Sequence, residues 1–110
     1  MMRKPIYIAA YHQSKFGKLL GMTVPQIVGE AVGGACREIG AEPGALDVAS
    51  VGAACNLSLN RQGLVSGLVA SVPGLEGKAI ESVENACASG GQAVLSVVNK
   101  LLVGDGDTGV

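Results

Sequence analysis

The sequence predicts an α/β fold of one small domain in which strands and helices alternate. Short runs of extended-type residues lie between stretches with helical periodicity, and Gly or Pro marks the junctions. Alternation of this kind favours mainly parallel strand pairing, with helices packed on the sheet. Hydrophobic residues are 48% of the 110 residues and charged residues are 15%, a composition that excludes intrinsic disorder.

The first part of the chain predicts a strand, a helix and a second strand. Residues 6–11 are a short apolar run suited to a buried strand. Thr23 and Gln26 fit a capping box. The apolar stripe that follows predicts a helix, and Gly40 suits the C′ position at its end. Residues 47–54 then predict the second strand.

The second part predicts a helix at 62–71, a strand at 79–84, a helix at 88–102 and the start of another strand at 108–110. The helix at 88–102 is apolar nearly all round, apart from one polar stripe: Ser89, Gln92, Ser96 and Asn99. A helix of this kind is typical of a layer buried between two sheets. Because these strands cannot supply two sheets, we expect residues 1–110 to be one partial domain.

Charge and cysteine usage exclude several classes of function. The net charge is −1 and no basic block occurs, so we expect neither nucleic acid nor a membrane as a partner. Ser, Gly, Asn and Lys interrupt the apolar runs, so we expect none to reach the length of a membrane span. Residues 1–5 carry no secretory pattern, which predicts a cytoplasmic protein, with a eukaryotic matrix reached by some other signal as the alternative. The three cysteines form no Cys-x-x-Cys pair, so we expect reduced thiols and no metal site.

Cys87 is the residue that the sequence marks for chemistry. It lies where the strand at 79–84 gives way to the helix at 88–102. A thiol at a helix N-terminus faces unpaired N–H groups and the positive end of the helix dipole, which favour the nucleophilic thiolate. Small residues on both sides leave space for a substrate, and glycines permit amides to face a developing oxyanion. The alternative interpretation is a buried cysteine packed as a small hydrophobe.

The other candidate residues point away from catalysis. Cys36 lies on the apolar stripe of the first predicted helix, so we expect it in the core. Cys55 follows the second strand, where it is either structural or lines a pocket. His12 is the only histidine, so a dyad with Cys87 is the only Cys–His pair open to the chain. Its position in a loop beside polar residues predicts a solvated side chain instead.

A resemblance to a known family is strongest at positions 85–94, which read NACASGGQAV. This segment resembles the nucleophilic-cysteine segment of the thiolase family, and most of all its branch of sterol-carrier-protein thiolases. Weaker similarities follow in the family's order. Residues 5–10 and 15–18 resemble its first strand and the following loop, and residues 51–52 and 60–62 resemble the end of its second strand and the next helix start. The resemblance covers the N-terminal portion of the family.

The resemblance implies a thiolase-like N-terminal half-domain, an incomplete part of a layered αβαβα architecture, with a buried helix after the cysteine. It also implies acyl transfer, with Cys87 as the catalytic nucleophile. Coenzyme A thioesters would be the substrates, and no cofactor would stay permanently bound. Depending on direction, the reaction is thiolysis of a 3-ketoacyl-CoA or Claisen condensation of acetyl-CoA. The implied assembly is a homodimer, a higher homo-oligomer or a pair with a complementary thiolase chain.

Part of the family's catalytic apparatus has no match in this sequence. In the family, a histidine that activates the cysteine and a second catalytic cysteine come from a later part of the chain. His12 does not match the histidine motif, and neither Cys36 nor Cys55 matches the second cysteine. We therefore expect the 110-residue chain alone to be inactive in turnover. Two alternatives stay open, a condensing enzyme of the ketoacyl-synthase type and a non-catalytic thiolase-like protein that binds acyl-CoA or assembles with a partner.

Overall fold

A parallel pair of strands organises the fold in the computed structural model, which describes residues 4–110. Strand β1 (Val48–Gly52) pairs with β2 (Ala79–Val83), and Val48 lies opposite Ala79. The first two residues of β1 are almost completely buried, as expected of a strand covered on both faces. The strands predicted at 47–54 and 79–84 are confirmed. The expectation that residues 1–5 carry no secretory signal depends partly on residues 1–3, which lie outside the described residues.

Residues 108–110 extend the sheet on the other edge of β1. The N–H of Val48 donates to the carbonyl of Thr108, and the N–H of Ser50 donates to that of Val110. Val110 returns a hydrogen bond to Val48, and Gly109 forms a parallel bridge with the same residue. The predicted strand start at 108–110 is confirmed, and β1 has a neighbour on each edge.

Asp47 holds this C-terminal segment against the start of β1. Its Oδ2 accepts the N–H groups of Asp107 at 2.8 Å and Thr108 at 3.1 Å, and the Thr108 hydroxyl at 3.1 Å. These bonds, with a smaller contribution from the charge of Lys78, hold the pKa of Asp47 below its ordinary value. The carboxylate is therefore a pH-sensitive link between the two segments.

The helix expected at 62–71 is present but begins three residues later, and a short helix that was not predicted precedes it. The two helices are α2 (Asn56–Asn60) and α3 (Val65–Ala70). Arg61 lies between them with a φ of +53°, a left-handed conformation that a helix does not continue through. The Gln62 side chain then accepts the N–H of Leu64 at 3.3 Å. The predicted boundary was wrong because this turn, rather than apolar periodicity, decides where α3 begins.

Helix α1 begins at the predicted capping box. After α1 ends, the chain makes a 3₁₀ turn at Pro43–Ala45. The α1 helix spans Val24–Glu38, and its N-terminal Thr23 and Gln26 exchange side-chain bonds with each other's backbone N–H. Gly40 has a φ of +65°, as the C′ position requires. α3 packs on one face of the sheet, and α1 packs on α3 over the same core. The buried residues of that core are Val32, Cys36, Leu46, Ala49, Val69, Val72 and Leu75.

Helix α4 (Ser89–Val103) covers the opposite face of the sheet with one side only. Leu101 is buried, and Lys100 Nζ lies 3.7 Å from the Glu81 carboxylate of β2. On the outer side, four large apolar residues are between 45% and 76% exposed: Val94, Leu95, Leu102 and Val103. The expectation that this helix is buried on most sides is therefore wrong for the described residues, because they provide one sheet and no second layer over α4.

The segment Ala86–Val103 is long and apolar enough, by length and composition alone, to cross a membrane. Its mean hydropathy is 1.3 over 18 residues, and 11% of it is buried. The expectation that no apolar run reaches this length is therefore wrong. One such helix is weak evidence for a span, because helices that cover a sheet pass the same test. α4 itself rises about 22 Å, less than the roughly 30 Å of a bilayer core.

Residues 6–11 do not form the buried strand that the sequence predicts. They pair with no strand, and Tyr7 and Ile8 are 81% and 89% exposed. β1 has no free edge for these residues, and they do not pair with the outer edge of β2 either. The mixed α/β class is confirmed, whereas the thiolase architecture stays a prediction.

Candidate functional site

Cys87 lies in a tight turn that joins β2 to α4. β2 ends at Val83 and α4 begins at Ser89, and we call residues 84–88 between them the elbow. Ala86 has a φ of +46°, in the left-handed region that residues with a Cβ avoid. The predicted strand-to-helix junction around Cys87 is confirmed, and the helix starts one residue later than expected.

Ser89 holds the elbow in this conformation. Its Oγ accepts the N–H of Asn85 at 2.8 Å and donates to the carbonyl of Ala86 at 2.7 Å. The side chain makes these bonds in a protected place, because Ser89 is only 4% exposed. The Glu84 carboxylate accepts the N–H of Ala86 at 2.9 Å. The left-handed residue is therefore bonded through both its own N–H and its own carbonyl.

The end of β1 approaches the first turn of α4 through Gly52. A Cβ at Gly52 would lie 2.5 Å from the carbonyl carbon of Ser89, closer still to its oxygen, and 3.0 Å from the nitrogen of Gly90. All of these are backbone atoms, so only glycine permits the approach. The position of the elbow on the sheet therefore depends on Gly52 as well as on the bonds of Ser89.

Cys87 presents an exposed, free thiol at this elbow. Within residues 4–110 its own N–H has no hydrogen-bond acceptor, and α4 has no side-chain cap over its first N–H groups. A Cβ at Gly90 or Gly91 would meet nothing within 4 Å, so the first turn of α4 has an open surface. The N–H groups of Ala88 and Ser89 are paired with the carbonyls of Asn85 and Ala86. An exposed sulfur beside its own unpaired N–H suits attack on a carbonyl and support of the resulting oxyanion. The alternative of a buried, merely packed Cys87 is wrong.

A cleft of about 300 Å³ lies at the carboxyl ends of β1 and β2, close to the elbow along the chain. Its polar lining includes Cys55, Gln62, Ser82 and Glu84. Ligands of open parallel sheets bind at this end of the strands. Cys55 is exposed and lines this cleft, which supports the pocket-lining interpretation over a purely structural one. Cys87 itself is not part of the lining.

The remaining sequence-predicted candidates lie on or against α1. His12 Nε2 is 3.1 Å from the Glu30 carboxylate, and the ring covers Gly34 so closely that a Cβ there would overlap it. His12 is therefore packed rather than solvated as expected, and its polar contact is with Glu30 and not with Cys87. Cys36 is buried in the core as predicted. Burial, and then the charge of Glu42, raises the pKa of its thiol.

Two features of the site were not predicted from the sequence, the Ser89 bonds and the Gly52 contact. From the sequence, Ser89 was counted among the small neighbours of Cys87 and among the polar residues of the last helix, with no bond to the elbow predicted. A signal was present, because serine at the start of a helix often bonds to nearby backbone groups. Nothing local to Gly52 marks it, since its contact residue lies on a distant helix.

Comparisons with known proteins do not assign the chain to a family. No protein-family model matches it, and no curated protein matches it. The thiolase resemblance of positions 85–94 therefore stays a prediction from that segment.

Proposed function

We propose that this chain carries the nucleophile of a thiolase-type acyltransferase that uses coenzyme A thioesters. The observation that carries the proposal is the elbow, where Cys87 combines an exposed thiol with an unpaired N–H. Acyl transfer through a thioester needs both, since the sulfur attacks the carbonyl carbon and the oxygen becomes negatively charged. The thiolase-like residues at 85–94 support the same assignment.

The acylation step begins when the Cys87 thiol loses its proton to a base. The sulfur then adds to the thioester carbonyl carbon, and the Cys87 N–H donates to the oxyanion. Collapse of the intermediate breaks the bond from carbon to the coenzyme A sulfur, which leaves as a thiolate and takes up a proton. In condensation the acyl group then passes to the carbanion of a second acyl-CoA. In thiolysis the sulfur adds instead to the C3 ketone of the 3-ketoacyl-CoA, and the C2–C3 bond breaks to release acetyl-CoA, whose C2 carbanion takes up a proton. The remaining acyl group then passes from Cys87 to the thiol of free coenzyme A.

The rate expected of the isolated chain is low, because His12 is engaged with Glu30. A missing general base costs a factor of about 10²–10⁴ in rate. We therefore expect a slow, single acylation of Cys87 without turnover. A ketoacyl-synthase-type enzyme would acylate the same residue, so this step tests the nucleophile that both reactions share.

The test is incubation of the 110-residue chain with acetyl-CoA, followed by mapping of acetylated peptides by mass spectrometry. We expect the acetyl group on Cys87, and its loss in Cys87→Ala. Cys55→Ala is the matched control, because Cys55 is also exposed but lies outside the elbow. Acetylation at an undiminished rate in Cys87→Ala, or on Cys55 in preference to Cys87, would show that the elbow does not create a nucleophile.

A second candidate function is non-catalytic assembly with another copy of the chain, and it is favoured by the surface area. The chain exposes 7373 Å², whereas a folded monomer of 11.0 kDa exposes about 5,600 Å². The excess of about 1,800 Å² is larger than the roughly 800 Å² that each partner buries in a standard interface. Part of this exposed surface is the outer side of α4, whose one charged residue, Lys100, faces Glu81 instead. Another part is the N-terminal segment, where Tyr7, Ile8 and Phe16 are all more than 80% exposed.

A further inference from the structure

We infer that Ser89 is a positioning residue, whose hydroxyl sets the direction of the Cys87 N–H for acyl transfer. This inference rests on the proposed function of Cys87. The Ser89 hydroxyl donates to the Ala86 carbonyl at 2.7 Å, and the Ser89 N–H donates to the same oxygen at 3.2 Å. Ser89 therefore binds the carbonyl of the residue that precedes the nucleophile.

The Ala86 carbonyl and the Cys87 N–H belong to one planar peptide group. The described residues contain no cis peptide bond, so the two groups point in opposite directions across that plane. Anchoring the carbonyl oxygen on Ser89 consequently fixes where the N–H points. The carbonyl is directed inward at a buried side chain, which leaves the N–H directed away from it, with no acceptor among the described residues.

The hydroxyl also maintains the left-handed residue on which this orientation depends. Ala86 carries a Cβ and has a φ of +46°, a conformation that persists only where surrounding contacts enforce it. Ser89 Oγ supplies one such contact through the Ala86 carbonyl and another through the N–H of Asn85. Because Ser89 is 4% exposed, water does not readily replace the hydroxyl when it is removed.

Two reactions of Cys87 separate positioning from general support of the fold. Acetylation by acetyl-CoA forms an oxyanion that needs the oriented N–H, whereas alkylation by iodoacetamide forms none. We expect Ser89→Ala to slow acetylation of Cys87 by about five- to tenfold, as the loss of one oriented hydrogen bond implies. Alkylation of Cys87 should change by less than about twofold, because the thiol stays exposed.

Ser96→Ala is the matched control, because it removes a hydroxyl from the same helix at a half-buried position away from the elbow. Both reactions should then proceed at wild-type rates. Wild-type acetylation in Ser89→Ala would overturn the inference and leave the proposed function standing. A wild-type Cys87 that is alkylated but never acetylated would overturn the proposed function, and the inference with it. Rapid alkylation of the buried Cys36 in Ser89→Ala would show that the hydroxyl supports the whole fold, which would also overturn the inference.

Discussion

Substitution of Gly52 by alanine tests how the elbow is seated on the sheet. The added Cβ would lie 2.5 Å from the carbonyl carbon of Ser89 and 3.0 Å from the nitrogen of Gly90, and neither backbone atom can rotate away. Gly52 does not have a positive φ, so alanine meets no conformational penalty there. The effect therefore comes from overpacking, which costs about 1–3 kcal/mol. That cost is a large fraction of the roughly 5–15 kcal/mol that stabilises a small domain.

The measurement is thermal and urea unfolding followed by circular dichroism. At about 4–8 °C per kcal/mol, Gly52→Ala should lower Tm by roughly 5–20 °C. Gly29→Ala is the matched control, because a Cβ at that position of α1 meets nothing within 4 Å. Alanine is favoured over glycine inside a helix, so this control should gain about 0.5–1 kcal/mol. A Gly52→Ala variant as stable as the wild type, measured beside a stabilised Gly29→Ala, would refute the close contact between β1 and α4.

Three further predictions concern the thiols, the acid sensitivity and the outer side of α4. In the native protein at neutral pH, brief iodoacetamide treatment should label Cys87 and spare Cys36, because burial raises the pKa of the Cys36 thiol. If peptide mapping finds Cys36 labelled first, the packing described for Cys36 is contradicted. The pKa of Asp47 is lower in the folded chain, so the ionised carboxylate stabilises the fold at pH values above its unfolded-state pKa of about 3.9. This contribution is lost as the pH falls through the lower folded-state pKa. Asp47→Asn should therefore lower Tm at pH 7 and not in strong acid. Asp105→Asn, in the turn after α4, should leave Tm unchanged at both pH values. Sedimentation at micromolar concentration should show self-association that Leu95→Glu weakens, and a monomeric wild type would count against the α4 interface.

The elements predicted correctly are those whose signals are local. The Thr23–Gln26 capping box and Gly40 define α1, because a cap involves residues within one turn of each other. The junction at Cys87 was predictable for a similar reason, since an extended run changes to helical periodicity within a few residues. The exposed thiol at a helix start followed from that junction.

The wrong predictions concern burial and strand pairing. Residues 6–11 are apolar enough for a strand, yet they pair with none, and Tyr7 and Ile8 are exposed. α4 is apolar enough to be buried on most sides, yet only one sheet meets it. In both cases the apolar composition of a segment did not decide its burial, which depends on the contacts that the segment makes in the folded chain.

Local patterns in the sequence were enough to predict the start of α1, the mixed α/β class and the location of Cys87 between a strand and a helix. The left-handed conformation of Ala86 and the hydrogen bond from Ser89 to its carbonyl became known only from the folded chain. The same is true of the close contact between Gly52 and the backbone of Ser89. The physical reason is that capping and periodicity act between near neighbours in the chain. The orientation of a single peptide group depends instead on hydrogen bonds and contacts from residues that come together only when β1, β2 and α4 pack.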